Sequence, residues 1–472
     1  MNSDIKETNV VNPRVGLLPL YLELYDNAMP DCRPRMDAFA ETIAHELRCK
    51  NLDVALAPVC RIEAEFDNAV KMLEEAHVDA IVTLHLAYSP SLESAAALAR
   101  TKLPIIVLDT TPTYGYGPTQ DPAELMYNHG IHGVQDMCNL LIRNGKPFYI
   151  EAGHWQNSDV FDRVAEWAKA AQMASMMRNA RVGLVGEPFK GMGDFAVPAD
   201  VLESTIGPKT IAITLEELAK FLPETSDSDV KAEIQENKSI FDGGCISEES
   251  HMNSARAGIA IRSWIEKNEL TAFTMNFGSF SGNKSIPTVP FLEASKSMAR
   301  GIGYAGEGDV LTASLVGALA STWPETTFTE MFCADWESET IYLSHMGEFN
   351  VNLADGKAQL LDKNLSFLET GSMAMAVGRL KPGAAVLVNL APGPDNTYTL
   401  ILAPIEMIGV DGEDRMHESI RGWFRPLMPI ADFLAEYSYA GGTHHSALVY
   451  GDVGETLARF AEIMGWDVVI LT

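Results

Sequence analysis

Apolar segments alternate with amphipathic ones along residues 15–108, and this alternation limits the folds open to the chain. Each apolar segment is short and nearly continuous, which is typical of a strand buried on both faces of a sheet. Strands of this kind, each followed by a helix, predict a parallel sheet covered by helices on both faces. The predicted strands are 15–20, 54–58, 80–85 and 104–108, and the predicted helices are 36–47, 65–76 and 91–99.

The loops that follow these strands are the expected place for a binding surface in the N-terminal part of the chain. The carboxyl ends of parallel strands meet at one edge of the sheet, where the loops form a crevice. These loops begin at Tyr21, His85 and Thr110.

A second unit of the same kind is predicted to begin with the strand 180–186 and to continue to residue 325. Gly186, Gly191 and Gly193 follow that strand, but they lack the G-x-G-x-x-G spacing of a dinucleotide-binding turn. The sequence therefore disfavours a nucleotide-dependent oxidoreductase.

The last third of the chain is rich in predicted strands, including a hairpin with its turn at Asp395 and Asn396. The expected fold class is α/β, with two consecutive doubly wound parallel-sheet domains followed by a β-rich, barrel-like C-terminal domain. The expected domain bounds are 1–175, 176–325 and 326–472.

The charge of the chain excludes some classes of partner. Its 35 basic and 64 acidic residues give a net charge of −29, which opposes binding to nucleic acid phosphates and to anionic membranes. No apolar run reaches the roughly 20 residues of a membrane-spanning helix. The six cysteines include no C-x-x-C pair, and residues 1–12 lack the apolar core of a secretory signal. We expect a cytoplasmic protein with reduced thiols.

Metal-ligand side chains recur in the last third of the chain. Glu307 lies between two glycines ahead of a helical segment, and Glu330 and His345 lie on two predicted strands joined by a turn at 336–339. A symmetric turn would place residue 330 opposite residue 345, where Cβ atoms are about 4.5–5.5 Å apart. His445 follows a Gly-Gly turn. Two carboxylates and two imidazoles favour Mn²⁺ or another divalent first-row metal over a structural zinc site.

Each of these pieces also has a simpler interpretation. The Gly-Glu-Gly-Asp turn is equally well explained as the loop before a helix, with Asp309 as its N-cap. A Glu/His pair across two strands is usually a solvated ion pair. The His444-His445 pair is alternatively a surface loop.

The order of these motifs resembles the L-arabinose/L-fucose isomerase family, and most closely its L-arabinose isomerase branch. The matching segments are 303–309 with 312–313, then 328–330, then 344–346 with Glu348, then 442–445. The resemblance implies that Glu307, Glu330, His345 and His445 hold a divalent metal, usually manganese, and that the two glutamates move protons. It also implies that Tyr21, His132, Met192, Phe277 and His444 contact the sugar.

This resemblance predicts an aldose–ketose isomerase acting on a small neutral sugar through a metal-chelated enediol. The sequence does not decide between this proton transfer and a metal-assisted hydride shift, or which glutamate is the base. Alternatives are a metal-dependent epimerase or lyase at the same site and, with less support, a non-catalytic sugar-binding protein. The sugar is expected to differ from L-arabinose, because Pro19, Val310 and the segment 331–333 depart from the family.

The resemblance further implies a trimeric or hexameric homo-oligomer. In such a ring, the segment 129–133 of one subunit reaches the site of its neighbour. Either His129 or His132 fits this position, and His132 is preferred because Gln135 and Asp136 follow it.

Overall fold

The structure is a computed structural model that describes residues 11–243, 246–366 and 368–472. Contacts divide this part of the chain into two compact units, Val11–Ser175 and Met176–Thr472. Residues 1–10 lie outside the described residues, and they include most of the segment 1–12 that was predicted to lack a secretory signal. Cys245 also lies outside the described residues. The other five cysteines are free thiols.

The first unit contains a five-stranded parallel sheet in the order β2-β1-β3-β4-β5. The chain reverses its direction of sheet growth after β2, which is the doubly wound arrangement. Its elements are β1 (Arg14–Leu20), α1 (Glu23–Ala28), α2 (Arg33–Cys49), β2 (Asp53–Leu56), α3 (Glu63–Glu75), β3 (Ala80–His85), α4 (Ser91–Arg100), β4 (Ile105–Asp109), α5 (Leu125–Asn128), α6 (Ile131–Arg143), β5 (Tyr149–Ala152) and α7 (Val160–Arg178).

The central strand β3 explains why this sheet needs helices on both faces. All six of its residues are buried, so side chains pointing to either face must be covered. Helix α6 packs very closely on the end of β3, since a Cβ atom added to Gly133 would lie 2.3 Å from Cδ2 of His85. Glycine at this position permits the close approach.

The second unit begins with a four-stranded parallel sheet in the order β10-β9-β6-β7. The first residues of its last helix, α13, lie directly after the glycine-rich turn that contains Glu307. The elements are β6 (Arg181–Val185), α8 (Ala199–Thr205), β7 (Lys209–Ile213), α9 (Leu215–Leu218), α10 (Ser228–Ile240), β8 (Asp242–Gly243), α11 (Glu248–Lys267), β9 (Ala272–Met275), α12 (Phe291–Ala299), β10 (Gly303–Gly306) and α13 (Val310–Thr322).

The remainder of the second unit forms a closed antiparallel barrel. Six strands follow the order β15-β18-β11-β12-β17-β16, and pairing of β15 with β16 closes the ring. Strand β19 joins β16 in parallel, and β13 and β14 form a small sheet with β8. The elements are β11 (Thr326–Asp335), β12 (Thr340–Ser344), β13 (Gln359–Lys363), β14 (Met373–Val377), β15 (Gly383–Pro392), β16 (Tyr398–Ile408), β17 (Gly422–Pro426), α14 (Ile430–Tyr439), β18 (His445–Tyr450), α15 (Gly454–Met464) and β19 (Asp467–Ile470).

The predicted fold class is confirmed: parallel-sheet α/β architecture precedes a β-barrel. The predicted hairpin with its turn at Asp395 and Asn396 is also present, as β15 and β16. The three-domain division stays a prediction. Within the three described stretches of chain, none of the helices combines the length and the apolar composition needed to cross a bilayer.

Candidate functional site

Glu307 occupies a strained turn at the carboxyl end of β10. Its φ of 64° lies in the left-handed region, which is costly for a residue with a side chain, and φ of Gly308 is 89°. The flanking glycines are required by crowding: a Cβ on Gly306 would lie 2.7 Å from Cε1 of His345, and one on Gly308 would lie 2.5 Å from Cα of Pro188. Strain at an observed position of this kind is typical of functional sites.

Asp309 has two roles. It is the N-cap of α13, where Oδ1 accepts a hydrogen bond from the backbone N of Thr312 at 2.8 Å. Its other oxygen, Oδ2, accepts from Nδ1 of His445 at 2.9 Å, and both side chains are fully buried. The simpler interpretation of the Gly-Glu-Gly-Asp turn is therefore correct, and the same residue also orients a site histidine.

Glu330 lies directly opposite His445, because β11 and β18 pair in antiparallel register. The predicted pairing of Glu330 with His345 across the β11–β12 hairpin is wrong. The predicted register exists near the turn, where Cys333 pairs with Tyr342, but a β-bulge between Met331 and Cys333 shifts it by one residue. Glu330 is consequently opposite Ser344.

The structure gathers two carboxylates and two imidazoles in one cluster. Nε2 of His445 lies 3.0 Å from Oε1 of Glu330 and 3.4 Å from Oε2 of Glu307. Nε2 of His444 lies 3.6 Å and 3.8 Å from the same two oxygens. One ligand atom from each of these four residues lies within 4.8 Å of the other three.

His345 lies beside this cluster, and its Nε2 is 3.8 Å from Oε1 of Glu330. Its distance to Glu330 is thus similar to that of His444. Its role as a metal ligand stays a prediction, and the geometry adds His444 as an alternative.

The oxygen and nitrogen atoms of the cluster are suitable ligands for a divalent cation. Oε2 of Glu307 and Nε2 of His445 are both buried and have no hydrogen-bond partner among the described residues. Buried polar atoms normally have a partner, and a bound ion would satisfy both. The mixed oxygen and nitrogen donors suit Mn²⁺ and related metals.

The electrostatics of the cluster favour positive charge at its centre. Burial alone lowers the pKa of His445, but the carboxylates of Asp309, Glu307 and Glu330 raise it to about 11. Burial raises the pKa of Glu307, but the imidazoles of His444, His445 and His345 together bring it down to about 2. Surroundings that stabilise a buried imidazolium stabilise a metal cation in the same way, with the imidazoles then neutral.

A buried carboxylate also orients His345. Nδ1 of His345 donates to Oε2 of Glu348 at 2.6 Å, and Glu348 accepts from the hydroxyl of Tyr304 at 2.5 Å. Burial opposes protonation of His345, but Glu348 outweighs it and raises the pKa of the imidazole. Such carboxylate–histidine pairs fix the tautomer and leave the other ring nitrogen for a ligand.

The predicted sugar-contacting residues fall in both units. Met192 is half-buried in the loop after β6, Phe277 packs near Phe189 at the end of β9 with ring centroids 5.7 Å apart, and His444 is in the cluster. In the first unit, Tyr21 follows β1 and is buried, whereas His132 is exposed on α6.

Within the first unit, aromatic contacts connect the Tyr21 loop to the His129–His132 segment. Tyr25 lies between them, with its ring centroid 5.8 Å from Tyr21 and 5.7 Å from His129. Its hydroxyl is hydrogen-bonded to Nε2 of His129 at 3.0 Å, while the rings of His129 and His132 are 6.0 Å apart.

Sequence reasoning missed the residues that support the histidines. Asp194 and Phe195 contact His444 and His445 from a loop 250 residues earlier in the chain. No local spacing connects residues so far apart. Glu348 was part of a matching motif, but nothing in the sequence assigned it a partner.

Two family models match the chain. The model of the L-arabinose isomerase central domain matches residues 200–322, which include Glu307. The model of the L-arabinose isomerase C-terminal domain matches residues 325–467, which include Glu330 and the three site histidines.

Curated relatives extend the similarity to most of the chain. An L-arabinose isomerase of Herpetosiphon aurantiacus is 25% identical over 429 residues, covering 88% of this chain and 85% of that protein. L-arabinose isomerase 1 of Bacillus licheniformis is 24% identical, covering 87% of this chain and 85% of the relative. An L-arabinose isomerase of Geobacillus kaustophilus is 23% identical, with 83% and 80% covered.

Proposed function

Because the chain belongs to the L-arabinose isomerase family, we propose that it is a metal-dependent aldose–ketose isomerase acting on a small neutral sugar. The observation that carries this proposal is the pair formed by Glu307, which is buried, and Glu330, which is half-buried. Both carboxylates approach Nε2 of His445, and Oε2 of Glu307 has no hydrogen-bond partner in the described chain. A sugar-binding protein without catalysis would not require two carboxylates gathered around buried polar atoms that have no hydrogen-bond partner.

A divalent ion, with Mn²⁺ as the first choice, would be held by Glu307, Glu330, His345 and His445. When bound, it supplies Lewis acidity that stabilises negative charge developing on the sugar oxygens. The burial of His345 and His445, whose side chains are 2% and 0% exposed against 40% for His444, supports this choice of histidines. Their carboxylate partners fix which ring nitrogen faces the cluster.

The two glutamates carry the proton transfers in this mechanism. Oε2 of Glu307 is buried and has no hydrogen-bond partner among the described residues, so this carboxylate oxygen is free to accept a proton. One glutamate removes the proton from C2 of the open-chain aldose, giving an enediol, and a proton is then delivered to C1. The other glutamate moves the hydroxyl proton from O2 to O1. The product is the ketose, with no net gain or loss of atoms.

The direct test is a screen of free aldoses and ketoses with Mn²⁺, with products identified by NMR in D₂O. We expect a ketose from an aldose, with solvent deuterium at C1. Glu307→Gln and Glu330→Gln should each lower kcat by about 100- to 10,000-fold, the usual contribution of an acid–base group. Glu337→Gln, in the exposed β11–β12 turn, is the matched control and should behave as wild type.

Products other than a ketose would favour one of the alternative functions. An epimeric aldose would support the epimerase alternative, and a dehydrated sugar would support the lyase alternative. A wild-type protein that binds sugars with Mn²⁺ present but converts none of them would contradict enzymatic function.

We further propose that L-arabinose is a poor substrate. The segment 331–333, which departs from the family, coincides with the β-bulge next to Glu330, and Phe332 is 49% exposed there. A bulge re-aims neighbouring side chains, so the pocket should accept a differently arranged set of hydroxyls. Preferred turnover of L-arabinose over all other sugars would overturn this specificity proposal.

The cytoplasmic location expected from the sequence stays a prediction.

A further inference from the structure

The three histidines of the site share one arrangement. Each imidazole uses Nδ1 to contact a carboxylate and directs Nε2 towards Oε1 of Glu330. The distances from Nε2 to this oxygen are 3.8 Å for His345, 3.6 Å for His444 and 3.0 Å for His445. The pairs are His345 with Glu348 at 2.6 Å, His445 with Asp309 at 2.9 Å, and His444 with Asp194 at 2.6 Å.

The third pair differs from the other two in its exposure to solvent. The side chain of His444 is 40% exposed, whereas those of His345 and His445 are 2% and 0% exposed. His444 is therefore the imidazole at the open side of the cluster. Its Nε2 is 3.6 Å and 3.8 Å from the nearest glutamate oxygens, distances too long for hydrogen bonds.

Asp194 holds His444 at two points. Its Oδ2 accepts from Nδ1 of the ring at 2.6 Å and from the backbone N of His444 at 2.9 Å. One oxygen atom thus fixes both the backbone position and the orientation of the ring. The tautomer follows as well, since a proton on Nδ1 leaves Nε2 of the neutral imidazole as an acceptor.

The loop that carries Asp194 is itself anchored to the site. The backbone N of Phe189 donates to the carbonyl O of Glu307 at 2.9 Å, and Pro188 packs against Gly308. The ring of Phe195 stacks on His445 with centroids 4.8 Å apart and planes 9° apart. A single loop therefore contacts Glu307, His444 and His445, which keeps Asp194 at a fixed position relative to the glutamates.

We propose that Asp194 is a positioning residue that aims Nε2 of His444 at a sugar hydroxyl bound across from Glu307 and Glu330. This inference rests on the proposed isomerase function and on His444 as a substrate contact. Asp194 itself touches no substrate in this arrangement and acts only through His444. In this arrangement the metal is held by Glu307, Glu330, His345 and His445, and His444 is not a ligand.

The test is a double-mutant cycle on the Mn²⁺-loaded enzyme, using the best sugar found in the screen. Asp194→Ala should lower kcat/KM by about 10- to 100-fold, the value of a charge-assisted hydrogen bond. Asp194→Asn keeps an acceptor for Nδ1 and should lose less. The variant with both Asp194→Ala and His444→Ala should equal His444→Ala alone within about twofold, because a residue acting only through His444 has no effect without it.

A second measurement separates positioning from metal binding. The affinity for Mn²⁺, read by electron paramagnetic resonance of the free ion without any sugar, should change by less than about threefold in Asp194→Ala and His444→Ala, whereas loss of outer-shell support for a true ligand costs about 10- to 100-fold. Asp200→Ala, an exposed acid in the first turn of α8, is the matched control. Should Asp194→Ala not fold, the Asp194→Asn cycle replaces it.

Three results would overturn the inference. These are wild-type kinetics in Asp194→Ala, additive losses in the double variant, and a tenfold or greater loss of Mn²⁺ affinity, which would make His444 a metal ligand. Failure of the proposed function is distinguishable, since the wild-type enzyme would then convert none of the sugars.

Discussion

Glu348 is the residue whose removal best tests whether His345 is a metal ligand. It is buried, accepts from Nδ1 of His345 at 2.6 Å, and also accepts from the backbone N of Gly347 at 2.9 Å. Glu348→Ala leaves the imidazole free to rotate and to change tautomer. We expect Mn²⁺ affinity, measured by calorimetry, to fall by about 10- to 100-fold.

Tyr304→Phe is the matched control for this prediction. It removes the hydroxyl that donates to Oε1 of Glu348 but leaves the contact between Glu348 and His345. Its effect on Mn²⁺ affinity should be smaller than that of Glu348→Ala. Unchanged affinity in Glu348→Ala would place His345 outside the ligand set and leave His444 as the fourth ligand.

His85 gives the first unit a stability that depends on pH. It is fully enclosed at the end of β3, neither ring nitrogen has a partner among the described residues, and burial lowers its pKa to about 3 despite nearby Asp136. The unfolded chain binds a proton near pH 6.5, whereas the folded state does not. Stability is therefore fully present above pH 6.5 and is lost as the pH falls towards 3.

The expected size of this effect is about 2 kcal/mol between pH 7 and pH 5. Urea unfolding at the two pH values would measure it in the wild type and in His85→Gln, which cannot be protonated. The pH-dependent loss should be smaller in the variant by that amount. An equal loss in both proteins would mean that His85 binds a proton in the folded state about as readily as in the unfolded chain.

Secondary structure was predictable where one local rule dominates. The strand predicted from the apolar run 80–85 is β3, with the same first and last residues. Asp309 is the N-cap of α13, as predicted from its position before an apolar helix. The β11–β12 hairpin shows the limit of such rules. Its turn was placed correctly, but the extra residue at the bulge has no signal in the composition of the strand, and it shifted Glu330 away from His345.

A buried ion network joins helices α10, α11 and α12, and it supports the element that precedes the Glu307 strand. Nζ of Lys296 is fully buried and donates to Glu233 at 2.5 Å and to Asn237 at 2.9 Å. Lys296→Met would leave the carboxylate of Glu233 with less compensation. Because Glu233 keeps its ion pair with Arg262, we expect a loss of about 1–3 kcal/mol in the free energy of unfolding, measured by urea denaturation.

Two further variants serve as controls for this prediction. In the Lys296→Met background, Glu233 keeps only Arg262 as a basic partner, at 3.0 Å, so Glu233→Gln in that background should recover part of the loss. Lys71→Met removes a lysine from an exposed ion pair with Glu75 and should leave the free energy of unfolding nearly unchanged. Equal effects of the buried and exposed substitutions would contradict a structural role for the network.

The assembled site depends on contacts between distant parts of the chain. Glu330 meets His445 through pairing of β11 with β18, and Asp194 meets His444 across 250 residues. Motif order was enough to predict that Glu307, Glu330 and His445 belong together. The supporting carboxylates could not be predicted, because strand order in the barrel and the path of the loop after β6 follow from packing of the whole unit.

The resemblance to the L-arabinose isomerase family also implies that the complete site is shared between subunits. Tyr21 and His132 belong to the unit Val11–Ser175, whereas the metal-ligand candidates belong to the unit Met176–Thr472. Leu24 in the first turn of α1, Leu92 in the first turn of α4 and Tyr114 in the loop after β4 are 61%, 79% and 72% exposed. Their segments follow β1, β3 and β4, whose carboxyl ends meet at one edge of the sheet, and exposed apolar side chains favour a protein interface. We therefore propose a closed ring, trimeric or hexameric, in which each site uses the first unit of a neighbour.

Mixing two inactive variants tests this arrangement. His345→Ala removes a group from one side of the shared site and His132→Ala removes one from the other, so a mixed ring contains some sites with both groups intact. With random mixing in equal amounts, about a quarter of the sites should recover, because each of two adjacent subunits must be of the right kind. Mixing His345→Ala with Glu307→Gln is the control and should recover nothing, since both changes fall in the same unit. A fully active monomer by light scattering would exclude the ring, and failure of complementation despite proven mixing would place His132 outside the neighbour's site.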